Sequence, residues 1–258
     1  MLKIVSSENE QIFDQLQIVV MDCAYNSFSN PLTQKLFGKY ISLKLDGFLK
    51  EYGHGVLPLG SYDFIGTVVM VCEKKGEEME PITCFKSSTL ERARYFSLPL
   101  EINSLFHSSA EKQHQKFVES LIRRVEQENK SLGYVSSWTM SSTWGKGTPL
   151  RKLALQITNS SLVNLYIDSK IDEALSAGIL KFKIDDVQRF LGFNQIQFEG
   201  EVLPPIEAWF VKNEKTALMH LESFSDAAKK QAKQYRDLWD SRLFLGVNEF
   251  EVGTRVAA

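Results

Sequence analysis

The chain has 258 residues, and its 30 Lys and Arg residues nearly balance its 32 Asp and Glu residues, giving a formal charge of −2. A hydrophobic content of 43% with 24% charged residues is typical of a globular chain and excludes a disordered one. The length predicts one large domain or one domain with an appended part. The near-neutral charge argues against nucleic-acid binding through bulk electrostatics, and no apolar run approaches the ~18 residues that a membrane-spanning helix needs.

Three features bear on the cellular compartment and on metal binding: the N-terminal residues, the cysteines and the histidines. The first ten residues lack the apolar core and cleavage site of a secretory signal. Cys23, Cys72 and Cys84 are an odd number without a CxxC pair, so neither a disulfide framework nor a zinc site is expected. The four histidines are scattered without ligand spacing, so no metal site is predicted. We expect a cytoplasmic protein.

Helical and strand periodicities follow one another along the first part of the chain. The range 8–24 has apolar residues at helical spacing and predicts an amphipathic helix, and a second helix is predicted over 33–51. The range 65–72 is rich in β-branched residues, and 81–86 has a similar character. Because a charged turn separates these two ranges, 62–87 is predicted to form an antiparallel hairpin.

The second part of the chain begins with an unclear segment at 88–108, which the clearest helix of the chain follows at 109–131. The patterns after that helix predict a strand at 134–140, a helix over 149–176, a strand at 179–184, a short helix at 185–191, and strands at 195–198 and 206–211. The range 179–184 could instead open the helix that follows it. This order predicts an α/β fold with a mixed, mostly antiparallel central sheet that helices flank.

The C-terminal part has a different pattern. Between 214 and 244 an apolar stripe on a charged background predicts one long, extra C-terminal helix. We therefore divide the chain into an α/β domain at 1–213 and a C-terminal helical extension at 214–258. That helix could pack on its own domain or cover a second subunit, which leaves a homodimer open.

A glycine-containing turn between the predicted strand 134–140 and the next helix is the main candidate binding site. Gly145 and Gly147 stand just before a proline, and proline favours the first helical position. A helix start presents unpaired N–H groups, and glycines let a phosphate approach the backbone, so this junction would suit an anion. Lys146 and Arg151 add positive charge. The alternative is a tight turn that needs positive φ, because the spacing matches neither the P-loop nor the dinucleotide fingerprint.

Carboxylates near the predicted strands are the acid–base candidates. Asp63 opens the hairpin, Glu73 ends its first strand, and Glu91 follows its second strand. A catalytic base must reach the substrate proton directly or through one water molecule. Each of the three could instead be a solvated strand end.

The order of the elements resembles the GNAT acyltransferase superfamily over roughly 35–211. In that fold two helices precede an antiparallel strand pair, and a strand then leads into a pyrophosphate loop at a helix start. The corresponding loop here is 144–147, and Gly192-Phe193 matches the pair that ends the family's short helix. Within the superfamily, 39–53 and 61–64 with the hairpin are similar to the N-terminal half of acyl-homoserine-lactone and N-acyl amino acid synthases.

The resemblance implies transfer of an acyl group from an acyl-CoA or acyl carrier protein thioester to a small-molecule amine, without a permanently bound cofactor. One of the carboxylates Asp63, Glu73 and Glu91 would take the amine proton through water. The residues implied to hold the donor are Trp138, Met140, Trp144, Gly145, Lys146, Gly147, Thr148 and Arg151.

Two positions depart from the family pattern and leave alternatives open. The family loop begins with Gln or Arg where this chain has Ser142, and the tyrosine that protonates the leaving thiolate has no counterpart at 188–190. A non-catalytic ligand- or partner-binding protein on the same fold is therefore the alternative, with 214–244 as its contact surface. A nucleic-acid role would use the basic residues Lys146, Arg151, Lys152, Lys181 and Lys183, and the charge balance counts against it.

Overall fold

A computed structural model describes residues 13–53, 58–106, 111–142, 149–208, 211 and 214–247. The helices and strands of these residues are, in chain order, β1 (Leu16–Asp22), α1 (Ala24–Ser27), α2 (Pro31–Tyr52), α3 (Ser61–Ile65), β2 (Thr67–Lys75), β3 (Glu78–Thr89), α4 (Leu90–Tyr95), α5 (Lys112–Gln127), β4 (Leu132–Met140), α6 (Pro149–Asp168), β5 (Glu173–Ile179), α7 (Ile184–Leu191), β6 (Asn194–Gln195), β7 (Gln197–Phe198), β8 (Glu201–Val202), β9 (Ile206–Glu207), β10 (Lys215–Leu221), α8 (Asp226–Gln234), α9 (Arg236–Asp240) and β11 (Leu243–Leu245). Short 3₁₀ helices span Glu101–Leu105 and Leu180–Phe182.

The strands form one central sheet in the order β11-β1-β2-β3-β4-β5-β10-β6, with β9 beside β10 and a separate β7–β8 pair. The β1–β11 and β4–β5 pairs are parallel, and the other described pairs are antiparallel. The predicted mixed, mostly antiparallel sheet flanked by helices is therefore confirmed.

Several predicted elements are confirmed at their expected places. The helix predicted over 33–51 is α2, and the hairpin is β2 and β3 joined by a turn at Gly76, whose φ is 64°. Glycine adopts such a left-handed conformation without the steric conflict of a Cβ atom. The predicted helix 109–131 and strand 134–140 correspond to α5 and β4, and α7 is the predicted short helix.

The helix predicted over 8–24 is wrong for its described second half, because residues Leu16–Asp22 form the strand β1. Helices cover both faces of the sheet at this strand. Ile18 and Val20 pack into one hydrophobic cluster, while Val19 and Met21 pack into another. A strand buried on both faces shows no polar–apolar alternation, so its apolar residues can coincide with helical spacing.

The single long helix predicted over 214–244 is also wrong, and with it the helical extension at 214–258 as far as the described residues go. Residues Lys215–Leu221 form β10, which pairs with β5 inside the sheet. The helix starts only after Ser225, whose hydroxyl accepts a hydrogen bond from the Ala228 backbone. β11 then returns to pair with β1. The described C-terminal residues, 214–247, thus complete the central sheet, and the helix among them is the short α8 followed by α9.

The boundary between α6 and β5 lies earlier than predicted. The helix ends at Asp168, and the strand is Glu173–Ile179. The strand predicted at 179–184 is wrong beyond Ile179, because Leu180–Phe182 form a 3₁₀ helix and α7 begins at Ile184. The strand β5 contains several small residues, Ala174, Ser176, Ala177 and Gly178, and its first half was therefore predicted as helix. They are needed because α7 packs closely, and a Cβ atom on Gly178 would lie 2.8 Å from Ile184.

Two helical layers enclose the sheet. On one face, α6, α7 and α8 cover Val135, Ala174 and Met219. On the other face, α2 covers the β1–β3 side, while α4 and α5 cover Tyr134 and Leu175. None of the described helices is long and apolar enough to span a membrane.

Candidate active site

The strands β4 and β5 lie side by side in the middle of the sheet but pair along only part of their length. Their parallel ladder runs from Leu132 opposite Glu173 to Val135 opposite Ser176. Beyond that point β4 continues along β3, and β5 continues along β10. Among the described strands, the facing backbone groups beyond Val135 and Ser176 therefore have no ladder partner. We call the line between β4 and β5 the seam.

A bulge in β4 marks the end of the seam. Ser136 pairs with Lys86 of β3, and the next β4 residue in the register, Thr139, pairs with Cys84. This stretch of β4 therefore holds one more residue than β3. Ser137, inside it, has a φ of 59°. A bulge bends the strand that carries it, and this one begins where the β4–β5 ladder ends.

Of the residues predicted to hold the donor, the structure describes three. Trp138 and Met140 lie in the part of β4 beyond the bulge, and Arg151 lies in the first turn of α6. Trp138 packs on Phe85, with ring centroids 5.9 Å apart, and its buried Nε1 has no hydrogen-bond partner among the described residues. The remaining predicted residues, 144–148, lie outside the described residues. The helix after them begins at Pro149, as predicted.

Asp63 is held in a buried ionic cluster on the face that α2 covers. Its side chain is only 1% exposed. Oδ1 accepts hydrogen bonds from Tyr40 Oη and Lys44 Nζ, each at 2.5 Å, and lies 3.4 Å from Lys86 Nζ. Oδ2 accepts the backbone N–H of Gly60 at 2.8 Å and so caps α3. Both carboxylate oxygens are therefore used inside the protein.

The charges of this cluster support one another. Burial alone would raise the pKa of Asp63, but the positive charges of Lys86 and Lys44 and the hydrogen bonds from Lys44 and Tyr40 outweigh it, so that the pKa is lowered. Burial, with the neighbouring charge of Lys86, lowers the pKa of Lys44. Burial, with the charge of Asp63, raises the pKa of Tyr40 well above its usual value. Asp63 is thus an ionised carboxylate beside a neutral phenol.

Glu101 connects this cluster to the seam. Lys86 Nζ lies 2.8 Å from Glu101 Oε1, and the hydroxyl of Ser136 lies 3.4 Å from both carboxylate oxygens of Glu101. Ser88 makes a further contact of 3.4 Å. The Glu101 side chain is 18% exposed, whereas those of Asp63 and Lys86 are at most 3% exposed. Within this cluster, Glu101 is the carboxylate that a substrate could reach.

Glu101 is not among the carboxylates predicted from the sequence, because it lies in the segment 88–108, which has no clear pattern. The 3₁₀ helix that begins with Glu101 is short, and the flanking Leu100 and Ile102 are buried. The one signal for Glu101 in the sequence is that it stands as a single carboxylate between two apolar residues, Leu100 and Ile102. Its partner Lys86 was placed correctly in a strand, but nothing in the sequence indicated that this lysine would be buried.

The other two predicted carboxylates lie elsewhere along the sheet. Glu73 is near the end of β2, opposite Glu80, and forms a 3.1 Å ion pair with Lys75. Glu91 lies in the first turn of α4, directly after β3. β3 is antiparallel to β4, so its C-terminal end lies beside the start of β4 and Glu91 lies away from the bulge. The three predicted bases are thus at three separate positions.

The helix α7 approaches the seam from the opposite face. The buried Gln188 donates from Nε2 to Ser176 Oγ at 2.7 Å, and Ser176 Oγ donates to the Val135 carbonyl at 2.9 Å. This chain of hydrogen bonds ties α7 to the last ladder pair of the seam. The following Gly192 has a φ of 111°, so the predicted Gly-Phe pair is a helix C-cap.

Comparison with known proteins gives matches at the level of structure only. No protein-family model matches the chain, and no curated protein matches it either. A CoA-dependent acyl-homoserine lactone synthase, BjaI, solved with MTA, aligns with 92% of this chain and 97% of its own at a TM-score of 0.52 and 13% identity. The same synthase solved with SAM and isopentyl-CoA aligns over the same shares at a TM-score of 0.53 and 12% identity.

FeeM, an N-acyl amino acid synthase from uncultured soil microbes, aligns with 80% of this chain and 96% of its own at a TM-score of 0.50 and 13% identity. At such low identity these similarities establish a shared fold and leave activity open. The chain therefore has the fold of these synthases, and the GNAT-like fold predicted from the sequence is confirmed.

Proposed function

We propose that this chain is an N-acyltransferase that moves an acyl group from an acyl-CoA or acyl carrier protein thioester to a small-molecule amine. The observation that carries the proposal is that β4 parts from β5 beside the reachable carboxylate Glu101. The similar folds support it, because their names describe a CoA-dependent acyl-homoserine lactone synthase and an N-acyl amino acid synthase.

The donor would bind along the free edge of β4 beyond the bulge. Backbone N–H and C=O groups there have no described ladder partner and can bond the amides of a pantetheine arm. Trp138 Nε1 is a further unused donor near this edge. The pyrophosphate would lie at the start of α6 against the backbone of Gly145 to Thr148, with Arg151 adding charge.

The chemistry is direct attack of the amine nitrogen on the thioester carbonyl carbon. The new C–N bond forms as the C–S bond breaks, and the leaving sulfur takes up one proton while the amine loses one. Glu101 would accept the amine proton, directly or through one water molecule. Holding both substrates at the seam replaces a bimolecular encounter by an oriented one, which lowers the barrier.

Lys86 and Asp63 would act as positioning residues. The Lys86 ammonium lies between the carboxylates of Asp63 and Glu101, at 3.4 Å and 2.8 Å, which holds Glu101 toward the seam. Asp63 has little exposed surface, and both of its oxygens are used, so its proposed role is to hold the two lysines rather than to take the amine proton.

Replacement of Glu101 tests the proposal. Glu101→Gln keeps the shape and removes the base, so we expect the rate of thiol release from acyl-CoA in the presence of an amine to fall by roughly 10²- to 10⁴-fold. Glu73→Gln is the matched control, because it removes a carboxylate away from the seam and should leave the rate unchanged. Equal rates for the Glu101 variant and the unaltered protein would contradict the proposed base.

Donor binding is tested separately by replacing Gly145 and Gly147 with valine. We expect the affinity for acyl-CoA to fall, since bulky side chains would keep the pyrophosphate from the backbone. Calorimetry measures this without any need for turnover. Unchanged affinity would show that the donor does not use this turn.

The second candidate is a non-catalytic acyl-ligand or partner-binding protein on the same fold. It is favoured by the residues before the Gly-Phe pair, because Gln188 points at Ser176 and no tyrosine stands there to protonate a leaving thiolate. Native mass spectrometry with CoA thioesters distinguishes the two functions. Bound thioester that never turns over with any amine would support this candidate.

A further inference from the structure

A cleft lies between α5 and β10, on the side of β5 opposite to β4. Its volume is about 310 Å³, near the lower end of the range for small-molecule sites. It is lined by Phe117, Ser120, Leu121, Arg124, His220 and Glu222, and we call it the α5–β10 cleft. His220 pairs in the sheet with Leu175, the residue directly before Ser176, whereas the seam opens beyond Ser176 on the other side of β5.

The positive charge in this cleft is already balanced. Both terminal nitrogens of Arg124 donate to the buried carboxylate of Glu173, at 2.8 and 2.6 Å, and one of them also donates to Glu128 at 3.3 Å. Lys130 lies 3.4 Å from Glu173 and 2.7 Å from Glu128. The guanidinium is therefore paired with the protein's own carboxylates, which makes an anionic ligand unfavourable here.

The proton donors of two other lining residues are also used. Glu173 is ionised and can only accept, so His220 Nε2, at 2.8 Å, must carry the proton that joins them. Burial lowers the pKa of His220, which keeps the ring neutral near pH 7 with Nδ1 as a lone-pair acceptor. Ser120 donates its hydroxyl proton to the carbonyl of Phe117 at 2.8 Å.

A carboxylate on the same wall completes the polar lining. The exposed side chain of Glu222 has no hydrogen bond or ion pair among the described residues, and it acts on Arg124 and His220 only through space. The cleft thus combines one free negative charge, neutral acceptor atoms, the ring of Phe117 and the aliphatic side chain of Leu121.

We infer that the α5–β10 cleft binds a primary ammonium ion that carries a short apolar or aromatic body. The ammonium would donate to the Glu222 carboxylate and the neighbouring acceptor atoms, because its three protons match a lining of acceptors. The apolar body would lie against Phe117 and Leu121, where an aromatic face also attracts a cation. This inference goes beyond the proposed function and does not depend on it, since binding at this cleft requires no acyl donor and no turnover.

A set of matched probes tests the inference on the full chain. We expect calorimetric or NMR titration at pH 7.5 to show the affinity order 2-phenylethylamine, then 2-phenylethanol, then phenylacetate, because the three share a ring and differ in charge. Glu222→Gln should weaken binding of the amine at least fivefold and leave binding of the alcohol unchanged. Chemical shifts or crosslinking should place the amine beside Phe117 and His220.

The control is Glu119→Gln, which removes a carboxylate of α5 that does not line the cleft and bonds Gln115. It should leave the amine affinity unchanged. Equal affinities for the amine and the alcohol, equal losses in the two variants, or no binding at millimolar amine would each overturn the inference. Lowering the pH until His220 protonates should weaken amine binding, because a second positive charge then faces the ammonium beside Arg124.

Discussion

Two buried carboxylates, Asp63 and Glu173, lie among basic side chains on different parts of the sheet, and they are neutralised in different ways. At Asp63 the partners Lys44 and Lys86 are buried as completely as the carboxylate, with side chains at most 3% exposed. At Glu173 the main partner Arg124 is 37% exposed and forms a bidentate pair. The first cluster holds its charges out of water, while the second leaves its cation partly hydrated.

Because of this difference, removing the carboxylate should cost more free energy of unfolding in the Asp63 cluster than in the Glu173 cluster. A buried charge that loses its partner has no water to solvate it, whereas a half-exposed guanidinium can return to solvent. The two clusters also reach different surfaces. Through Lys86 the Asp63 cluster extends to Glu101 at the seam, and through His220 the Glu173 cluster extends to the α5–β10 cleft.

The largest expected effect is at Asp63. Asp63→Asn leaves two buried lysines without their counter-charge and should lower the free energy of unfolding by about 3–5 kcal/mol. Chemical denaturation measures the loss. Glu73→Gln removes a carboxylate that is 30% exposed and pairs with a surface lysine; it serves as the control and should stay within about 0.5 kcal/mol of the unaltered protein. A loss at Asp63 no larger than that of the control would contradict the picture of a mutually dependent buried cluster.

A smaller loss is expected at Glu173. Glu173→Gln removes the charge but keeps an acceptor for Arg124, and the half-exposed guanidinium can be solvated, so the expected loss is about 1–3 kcal/mol. The same denaturation experiment, run side by side with Asp63→Asn, compares the two clusters directly. A greater loss at Glu173 than at Asp63 would show that exposure of the cation does not control the energetics.

The smallest effect is a pH dependence that comes from His220. Its pKa is lowered in the folded state from the usual 6.5, so the unfolded chain binds the proton more readily as the pH falls. Stability should therefore decrease as the pH falls from near 6.5 toward the lower folded-state pKa. The charged groups facing this ring are Glu173, Glu222 and Arg124.

His220→Gln should remove this decrease, because the amide does not titrate yet can still donate to Glu173. Denaturation at pH 7.5 and 5.5 measures the difference between the two proteins. The carboxylate of Glu173, whose pKa is lowered from 4.5 chiefly by Arg124 despite its burial, would lose its contribution only at more acidic pH. Identical pH profiles for the two proteins would exclude His220 as the titrating group.

The local sequence pattern was sufficient to predict an element where that element has one solvent-exposed face or a clear start or stop residue. α5 alternates buried and exposed residues at helical spacing, the β2–β3 hairpin turns at a glycine, and α6 begins at Pro149. For the same reason the order of the central elements, and the fold class with it, could be predicted from the sequence.

The two buried strands β1 and β10 and the composition of the candidate site were determined by tertiary packing. β1 and β10 are covered on both faces, so the period of two that distinguishes a strand is absent from their sequences. The candidate site depends on contacts between residues far apart in the chain, since Lys44, Asp63, Lys86 and Glu101 come from two helices, a strand and a 3₁₀ turn. Each of these residues alone resembles ordinary surface charge. Only the burial imposed by the folded sheet makes them pair and leaves Glu101 as the carboxylate of this cluster that faces the seam.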